Sequence, residues 1–240
     1  MKAIYNCFSQ MIRQLKQDAM LVIMVFVPLL AGSVFLFVIP VIEKLLTSYI
    51  GIDAVLAPYY ELFDLFLIIL TPSMFNYVVA MVMLEEADNH MISYLTITPL
   101  GKAGYLLSRL GAIGLISFPV SIFISLSFHL SNANILMVIG IALAGSIQGS
   151  IIALLIVTLT ANKVEGMAVG KMTTLFTVGA FAPYFITGKL QYTLSFLPSF
   201  WLAKAMQTNN GLALIISIFI AGLYIHFLYK KFIKKLVYFA

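Results

Sequence analysis

Charge is scarce in this chain, and that scarcity excludes a soluble protein. Charged residues make up 10% of the 240 residues, whereas hydrophobic residues make up 62%. A soluble domain of this size has too small an interior to hide that much apolar surface. The apolar residues form long uninterrupted runs and not the alternation of barrel strands, which predicts several membrane-spanning helices. The expected fold is therefore an all-α integral membrane protein, with one transmembrane domain over residues 1–240.

Disulfides and mid-membrane acids are missing as well. The single cysteine, Cys7, excludes an internal disulfide. No Asp or Glu lies deep in an apolar run, and proton- or sodium-coupled carriers usually need such an acid. An ATP-independent secondary transporter or channel is therefore the second choice of function. A membrane enzyme is the third, because no catalytic residues cluster and no set of histidines can converge on a metal.

A nucleotide-binding loop is also missing. That loop needs the pattern GxxxxGK[ST], in which glycines surround the phosphates and the hydroxyl binds magnesium. The nearest stretch, GMAVGKMT at 166–173, is one residue too short and has Met172 at the hydroxyl position. We interpret Lys171 there as a lysine that extends to the membrane interface. We expect no catalytic, cofactor-binding or metal-binding residues in this chain.

Six apolar runs are near the roughly 20 residues that a helix needs to cross a bilayer. The predicted spans are 20–42, 63–84, 105–129, 135–160, 168–187 and 211–229. Before the first, residues 1–19 have apolar residues at helical spacing and basic residues elsewhere, which predicts an amphipathic helix in the membrane interface. In the fourth span, Gly145 and Gly149 form a small-residue face suited to close helix packing.

The basic residues set the expected orientation. With the N-terminus inside the cell, only Lys44, Lys189 and Lys204 of the 14 lysines and arginines fall outside. Six spans then return the chain to the cytoplasm, so both termini are expected there, in a multi-pass protein of the plasma membrane. The net charge of +5 is explained by anchoring to anionic lipid, and no nucleic-acid partner is expected.

The stretch EEADNHMISYLTITPLGK, residues 85–102, falls in the largest cytoplasmic loop of this topology. Asp88 or Asn89 can cap a short helix that Pro99 and Gly101 end. Such a helix is too short to span, but its mixed faces suit it to lie on the membrane surface and bind another protein. A solvated loop between two spans is the alternative, and the pattern alone does not choose between them.

Two motifs resemble those of ABC-2 type exporter permeases. The first is LEEADNHMISYLTITPLGKAGYLLSR from residue 84, with an acidic helix end and a Thr-Pro-Leu turn, and the second is FLPSFWLAKAM at 196–206. The resemblance covers essentially the whole chain. Within the family it favours drug or peptide efflux, near the fluoroquinolone-export-like permeases. It implies a coupling helix within the cytoplasmic loop 85–104 and a re-entrant pair of short helices in the extracellular segment 188–210.

The resemblance also implies partners and a site. The chain would be half of a permease dimer, with itself or a related permease, in contact with membrane lipid and driven by two copies of a separate ATPase that binds ATP and Mg. It would export an amphipathic drug, peptide or lipid. The residues that would contact the ATPase or hold the coupling helix in shape are Glu85, Glu86, Asp88, Met91, Tyr94, Leu95, Thr98 and Pro99. Polar residues at membrane depth are candidates for the translocation path, with interhelical hydrogen bonding as the alternative. They are Asn76, Gln148, Thr174 and Thr177.

Overall fold

Long helices follow from the long apolar runs. A computed structural model describes residues 2–51, 53–92, 94 and 101–238, and these residues contain no strand. The helices are α1 (Lys2–Gln17), α2 (Ala19–Ile50), α3 (Tyr60–Asp88), α4 (Gly101–Leu106), α5 (Ala112–Ser127), α6 (Ile135–Leu159), α7 (Lys163–Met172), α8 (Leu175–Val178), α9 (Ala182–Phe185), α10 (Pro198–Thr208) and α11 (Gly211–Tyr238). A π-helical stretch, Leu107–Gly111, joins α4 to α5. Three 3-10 turns add Ala57–Tyr59, Gly179–Phe181 and Gly188–Leu194.

Five helical segments of the described chain are long and apolar enough to cross a membrane. They are Ala19–Ile50, Ala57–Asp88, Gly104–Ser127, Ile135–Leu159 and Gly211–Lys235. They coincide with predicted spans one to four and six, which confirms a helical fold with several helices long and apolar enough to cross a membrane. The predicted count of six is not confirmed, because the fifth apolar run does not form one long helix.

The fifth run is instead a broken segment made of α7, α8, a 3-10 turn and α9. A turn at Thr173–Thr174 separates its first two helices, and Pro183 lies in the last. Even so, the segment travels the length of α3. It begins at Lys163, which binds Glu85 near the end of α3, and it ends at Phe185, whose ring stacks on Tyr59 just before α3 at 5.1 Å between centroids.

The central helix is α3. In its most apolar window 78% of residues are buried, against 17% for α2 and for α11, so these two form the periphery. We name the two ends of the bundle after acids of α3, the Asp64 end and the Glu86 end. The Glu86 end also holds the start of α2, the start of α7 and Lys235 near the end of α11, whose ammonium donates to the Val157 carbonyl at 2.8 Å. The start of α2 and the last turns of α11 therefore lie at the same end of the bundle.

The small-residue face of α6 is packed against α3. A methyl group added at Gly149 would lie 2.6 Å from Asn76 Nδ2 and 2.8 Å from the Pro72 carbonyl oxygen. Gly145 approaches the same turn of α3, with 3.7 Å between its added Cβ and Pro72 Cγ. The absence of side chains at these two positions lets the backbones of α3 and α6 approach closely.

We expect Gly149→Ala to destabilise the fold by about 1–3 kcal/mol, because the new methyl group meets backbone that cannot move aside. Gly222→Ala in α11 is the matched control, since nothing lies within 4 Å of an added Cβ there. That control should gain about 0.5–1 kcal/mol from the lower helix cost of alanine. Thermal unfolding of the two purified variants in detergent tests this, and equal midpoints would contradict the close packing.

Two further predicted segments have helical structure. Helix α1 covers the predicted amphipathic segment and packs Met11, which is fully buried, among core residues of α2 and α3. The segment 188–210 forms a 3-10 turn and then α10, whose buried Leu202 and Ala203 pack with α3 and α6 at the Asp64 end. The interfacial position of α1 and the re-entrant path of 188–210 stay predictions.

Candidate functional site

The Glu86 end contains a fully buried ion pair. Glu86 and Arg109 are both fully buried, and Arg109 Nη2 forms an ion pair with Glu86 Oε1. Arg109 Nε donates to Glu86 Oε2 at 3.2 Å, and the Tyr105 hydroxyl donates to the same oxygen at 2.8 Å. The guanidinium also lies over the Tyr105 ring, 5.6 Å from its centroid. Because both charges have left water, each depends on the other for compensation.

The ion pair joins the two helices that flank the predicted coupling loop. Glu86 lies in the last turn of α3, at the start of the loop 85–104, and Arg109 lies in the π-helical stretch after it. π-helical stretches are uncommon and frequently occur at functional sites. The ends of the loop are thereby fixed to each other by charge-assisted hydrogen bonds.

A second, partly exposed charge cluster surrounds Lys163, the first residue of α7. Its ammonium lies 2.7 Å from Asp18 Oδ2 and 2.7 Å from Glu85 Oε2, and its backbone N–H donates to Asp88 Oδ2 at 3.0 Å. The hydrogen bond to Lys163 lowers the pKa of Asp18. Burial alone would lower the pKa of Lys163, but hydrogen bonds to Asp18 and Glu85 outweigh it and raise that pKa. Both groups therefore stay charged at neutral pH, and the cluster ties α2, α3 and α7 together.

The structure places the predicted coupling residues in two environments. Glu85, Glu86 and Asp88 bind Lys163 or Arg109 of this chain, so they are occupied internally in this conformation. Met91 is half-buried, and Tyr94 is 75% exposed. Leu95, Thr98 and Pro99 lie outside the described residues. The sequence leaves two roles open for Glu86, which are contact with the ATPase and support of the coupling helix. Its complete burial favours support.

Sequence reasoning missed the cations that bind these acids. The sequence places Arg109 and Lys163 only among the basic residues expected on the cytoplasmic side. The available signal was the position of Arg109 inside an apolar run, because an ionised side chain at such a position requires a buried partner. Nothing in the local sequence around Lys163 points to Asp18, which lies 145 residues away.

A cavity of about 440 Å³ lies along α3, from Phe66 near the Asp64 end to Tyr77 nearer the Glu86 end. It is bounded by the start of α2, the middle of α3, and α7 with the turn that follows it. Its apolar wall contains Met20, Met24, Phe66, Met74, Tyr77 and Met167. Its polar lining includes Lys171, Thr173, Thr174 and Thr177. The volume is in the range of small-molecule sites, roughly 300–1,000 Å³.

The cavity brings together only half of the predicted path residues. Thr174 and Thr177 line it, whereas Asn76 and Gln148 are fully buried between helices. The Asn76 amide donates to the Pro72 carbonyl at 2.9 Å, so that group serves helix structure. Neither amide atom of Gln148 has a hydrogen-bond partner among the described residues. The assignment of a translocation path to all four residues stays a prediction.

Comparisons with known proteins point to one family. A family model described as "Fluoroquinolones export permease protein Rv2686c-like" matches residues 11–232. Two relatives from Mycobacterium tuberculosis strains are named fluoroquinolones export permease proteins, Rv2686c (strain H37Rv) and MT2760 (strain CDC 1551). Each is 24% identical over 197 residues, covering 81% of this chain and 77% of the relative. No solved structure matches the chain.

Proposed function

Because the chain belongs to the Rv2686c-like family of fluoroquinolone export permeases, we propose that it is the membrane subunit of an ATP-driven ABC exporter. The family match over residues 11–232 is the observation that carries this proposal. The chain forms the path for the substrate, and a separate ATPase, present in two copies, binds ATP and Mg and supplies the energy. A second permease copy, identical or related, completes the path.

The Glu86 end supports this assignment of roles. In the proposal it faces the cytoplasm, where the ATPase binds the coupling helix between α3 and α4 through the exposed Tyr94 and its neighbours. The Glu86–Arg109 ion pair makes the ends of α3 and α5 move together. A push on the loop is thereby converted into movement of two helices at once, and no catalytic group is required.

The positions of the acids favour ATP over an ion gradient. Each described acid lies near one or the other end of the bundle, and none lies at its middle. Glu43, in the last third of α2, accepts hydrogen bonds from the backbone N–H groups of Val55 and Leu56 at 2.9 and 2.6 Å. Asp64 binds the N–H of Leu130 at 2.8 Å. These carboxylates hold connections between helices, whereas a proton- or sodium-coupled carrier needs an acid at mid-membrane.

The broken segment α7–α9 supplies the sixth crossing in this proposal. Irregular backbone at membrane depth is tolerated only where it is buried in protein or lines a cavity, and this segment lines the 440 Å³ cavity. The apolar face of α2, with Ile23, Phe26, Leu30 and Phe37 exposed, is available to lipid or to the second permease copy.

The substrate is an amphipathic molecule, and fluoroquinolones are the first class to test because the relatives' names specify them. The purified chain alone should hydrolyse no ATP. In inside-out vesicles that contain the chain and its co-purifying ATPase, fluoroquinolone uptake should need ATP. An ATPase variant that lacks the lysine of its nucleotide-binding loop is the control. Uptake driven by a proton or sodium gradient without ATP would refute the proposal.

A further inference from the structure

We propose that the cavity between α2, α3 and α7 binds an aromatic amphipathic anion, whose carboxylate is held by the ammonium of Lys171. This inference rests on the proposed function and names the substrate class of the same path. It depends on three properties of the site. They are the distance of Lys171 from the Glu86 end, the lack of a hydrogen-bond acceptor for its ammonium among the described residues, and the composition of the cavity wall.

Lys171 lies about two turns along α7 from the Glu86 end, and its side chain is exposed where it lines the cavity. It follows Lys163 by eight residues, so it lies about 12 Å farther from the Glu86 end along α7. Tyr77 precedes Glu85 by eight residues on α3, about the same distance. The two helices touch at this level, since a methyl group added at Gly170 would collide with the Tyr77 ring. Lys171 therefore lies at the same level of the bundle as Tyr77, farther from the Glu86 end than the charge cluster around Lys163.

The ammonium of Lys171 has open donors. Lys163 has two carboxylates, Arg109 has Glu86, and Lys235 has the carbonyl oxygens at the end of α6. Within the described residues no acceptor bonds the Lys171 ammonium, although it lines the cavity. A charge at membrane depth is costly, and such residues usually mark substrate pathways. An anion in the cavity would offset that cost.

The wall favours an aromatic body. Four methionines, two of α2, one of α3 and one of α7, face the cavity with Phe66 and Tyr77. Thioethers adapt to ligands of different shape and make favourable contacts with aromatic rings. On the polar side, Thr174 and Thr177 donate to carbonyls of their own segment at 2.7 and 2.6 Å, so their oxygens remain able to accept from a ligand.

The depth of the ammonium distinguishes this ligand from a lipid. An anionic phospholipid places its phosphate at the membrane surface, the level of the Lys163 cluster in this topology. The backbone of Lys171 lies about 12 Å deeper, so a carboxylate bound there is expected to belong to a molecule that enters the cavity. A single compact aromatic acid therefore fits the site better than a two-chain lipid.

Photolabelling of the full-length chain in phosphatidylcholine vesicles tests the proposal. The probe is 4-benzoylbenzoic acid, and its methyl ester has the same rings without the charge. Irradiated benzophenones insert into C–H bonds, with methionine a preferred target, so adducts located by mass spectrometry report the site. We expect the acid to label Met74 or Met167. Lys171→Gln should reduce labelling by the acid about threefold to fivefold, the effect of one exposed ion pair.

The matched controls isolate the charge. Labelling by the ester should change less than about twofold in Lys171→Gln, because its contacts with the wall are hydrophobic and do not involve the ammonium. Lys189→Gln removes an exposed lysine near the Asp64 end and should leave labelling by the acid unchanged. Equal labelling by the acid in wild type and Lys171→Gln would overturn the proposal and leave Lys171 as an interfacial lysine.

Two other results would also overturn it. Adducts spread over the lipid-facing side chains of α11, such as Phe219 and Phe227, would mean partition into the bilayer. Loss of the acid adducts when phosphatidylglycerol is added to the vesicles would identify an anionic-lipid site. The assay uses neither ATP nor the ATPase. Labelling that depends on Lys171, in a protein without ATP-driven export, would therefore reject the exporter and keep the anion site. ATP-driven export with labelling that does not depend on Lys171 would reject the anion site alone.

Discussion

Replacing Arg109 by leucine is expected to destabilise the protein by about 3–5 kcal/mol, because it leaves the carboxylate of Glu86 buried without its cation. Arg109 and Glu86 are both fully buried, so water cannot take over the lost contacts. The Tyr105 hydroxyl alone supplies one hydrogen bond and no charge. The unfolding midpoint in detergent should fall markedly, and less folded protein should be recovered from the membrane.

A double variant separates the charge from the packing. Glu86→Gln combined with Arg109→Leu removes both charges and should recover most of the lost stability, since replacing a buried pair is often neutral. Arg13→Leu, at an exposed position of α1, is the control for the loss of an arginine and should change stability by less than about 0.5 kcal/mol. If the double variant were no more stable than Arg109→Leu, steric packing and not charge would explain the loss.

The positions of the long helices could be predicted from the sequence because hydropathy is a local property. Any run of about 20 apolar residues must satisfy its backbone hydrogen bonds internally once it enters lipid, so a helix follows from composition alone. Predicted spans one to four and six each correspond to one of the five long segments. The glycines of α6 could be recognised by their four-residue spacing, and Gly145 and Gly149 do approach α3.

The breaks in the fifth run could not be predicted, because their stability depends on another helix. Where the α-helix is interrupted, carbonyl oxygens lose their backbone partners. The Ser199 hydroxyl of α10 donates to the Phe176 carbonyl at 2.5 Å, and the Gln207 amide donates to the Pro183 carbonyl at 3.1 Å. These donors come from residues more than 20 positions away in the chain, so the local sequence of the run reads as a continuous span.

The sequence predicts where the candidate site lies along the chain, but not which residues contact each other in it. The acids at the end of α3 were recognised, yet their partners are distant in sequence and the pattern gave no reason to bury Glu86. Arg109 is 23 residues from Glu86, and Lys163 is 78 residues from Glu85. Contacts over such separations depend on how the helices pack, which periodicity does not determine. The cavity at Lys171 is likewise formed by three helices and has no local signature.

The exposed tyrosine beyond α3 gives the sharpest test of the coupling role. Tyr94→Ala should weaken association with the ATPase by about 1–3 kcal/mol, roughly fivefold to 150-fold, if its ring is buried against the partner. Export should fall with it. The fold should be unaffected, because Tyr94 is 75% exposed in this chain and truncation opens no interior space.

Tyr49→Ala is the matched control, because Tyr49 is 92% exposed in the last turns of α2, at the Asp64 end, where no ATPase binds in the proposed orientation. Association is measured by pull-down and export in vesicles, both normalised to the amount of inserted permease. Normal association and export in Tyr94→Ala would remove this residue from the interface. Loss of function in both tyrosine variants would indicate general damage. Loss in Tyr94→Ala alone would place the ATPase at the Glu86 end. Because ATP is hydrolysed in the cytoplasm, that result would also fix the orientation of the bundle.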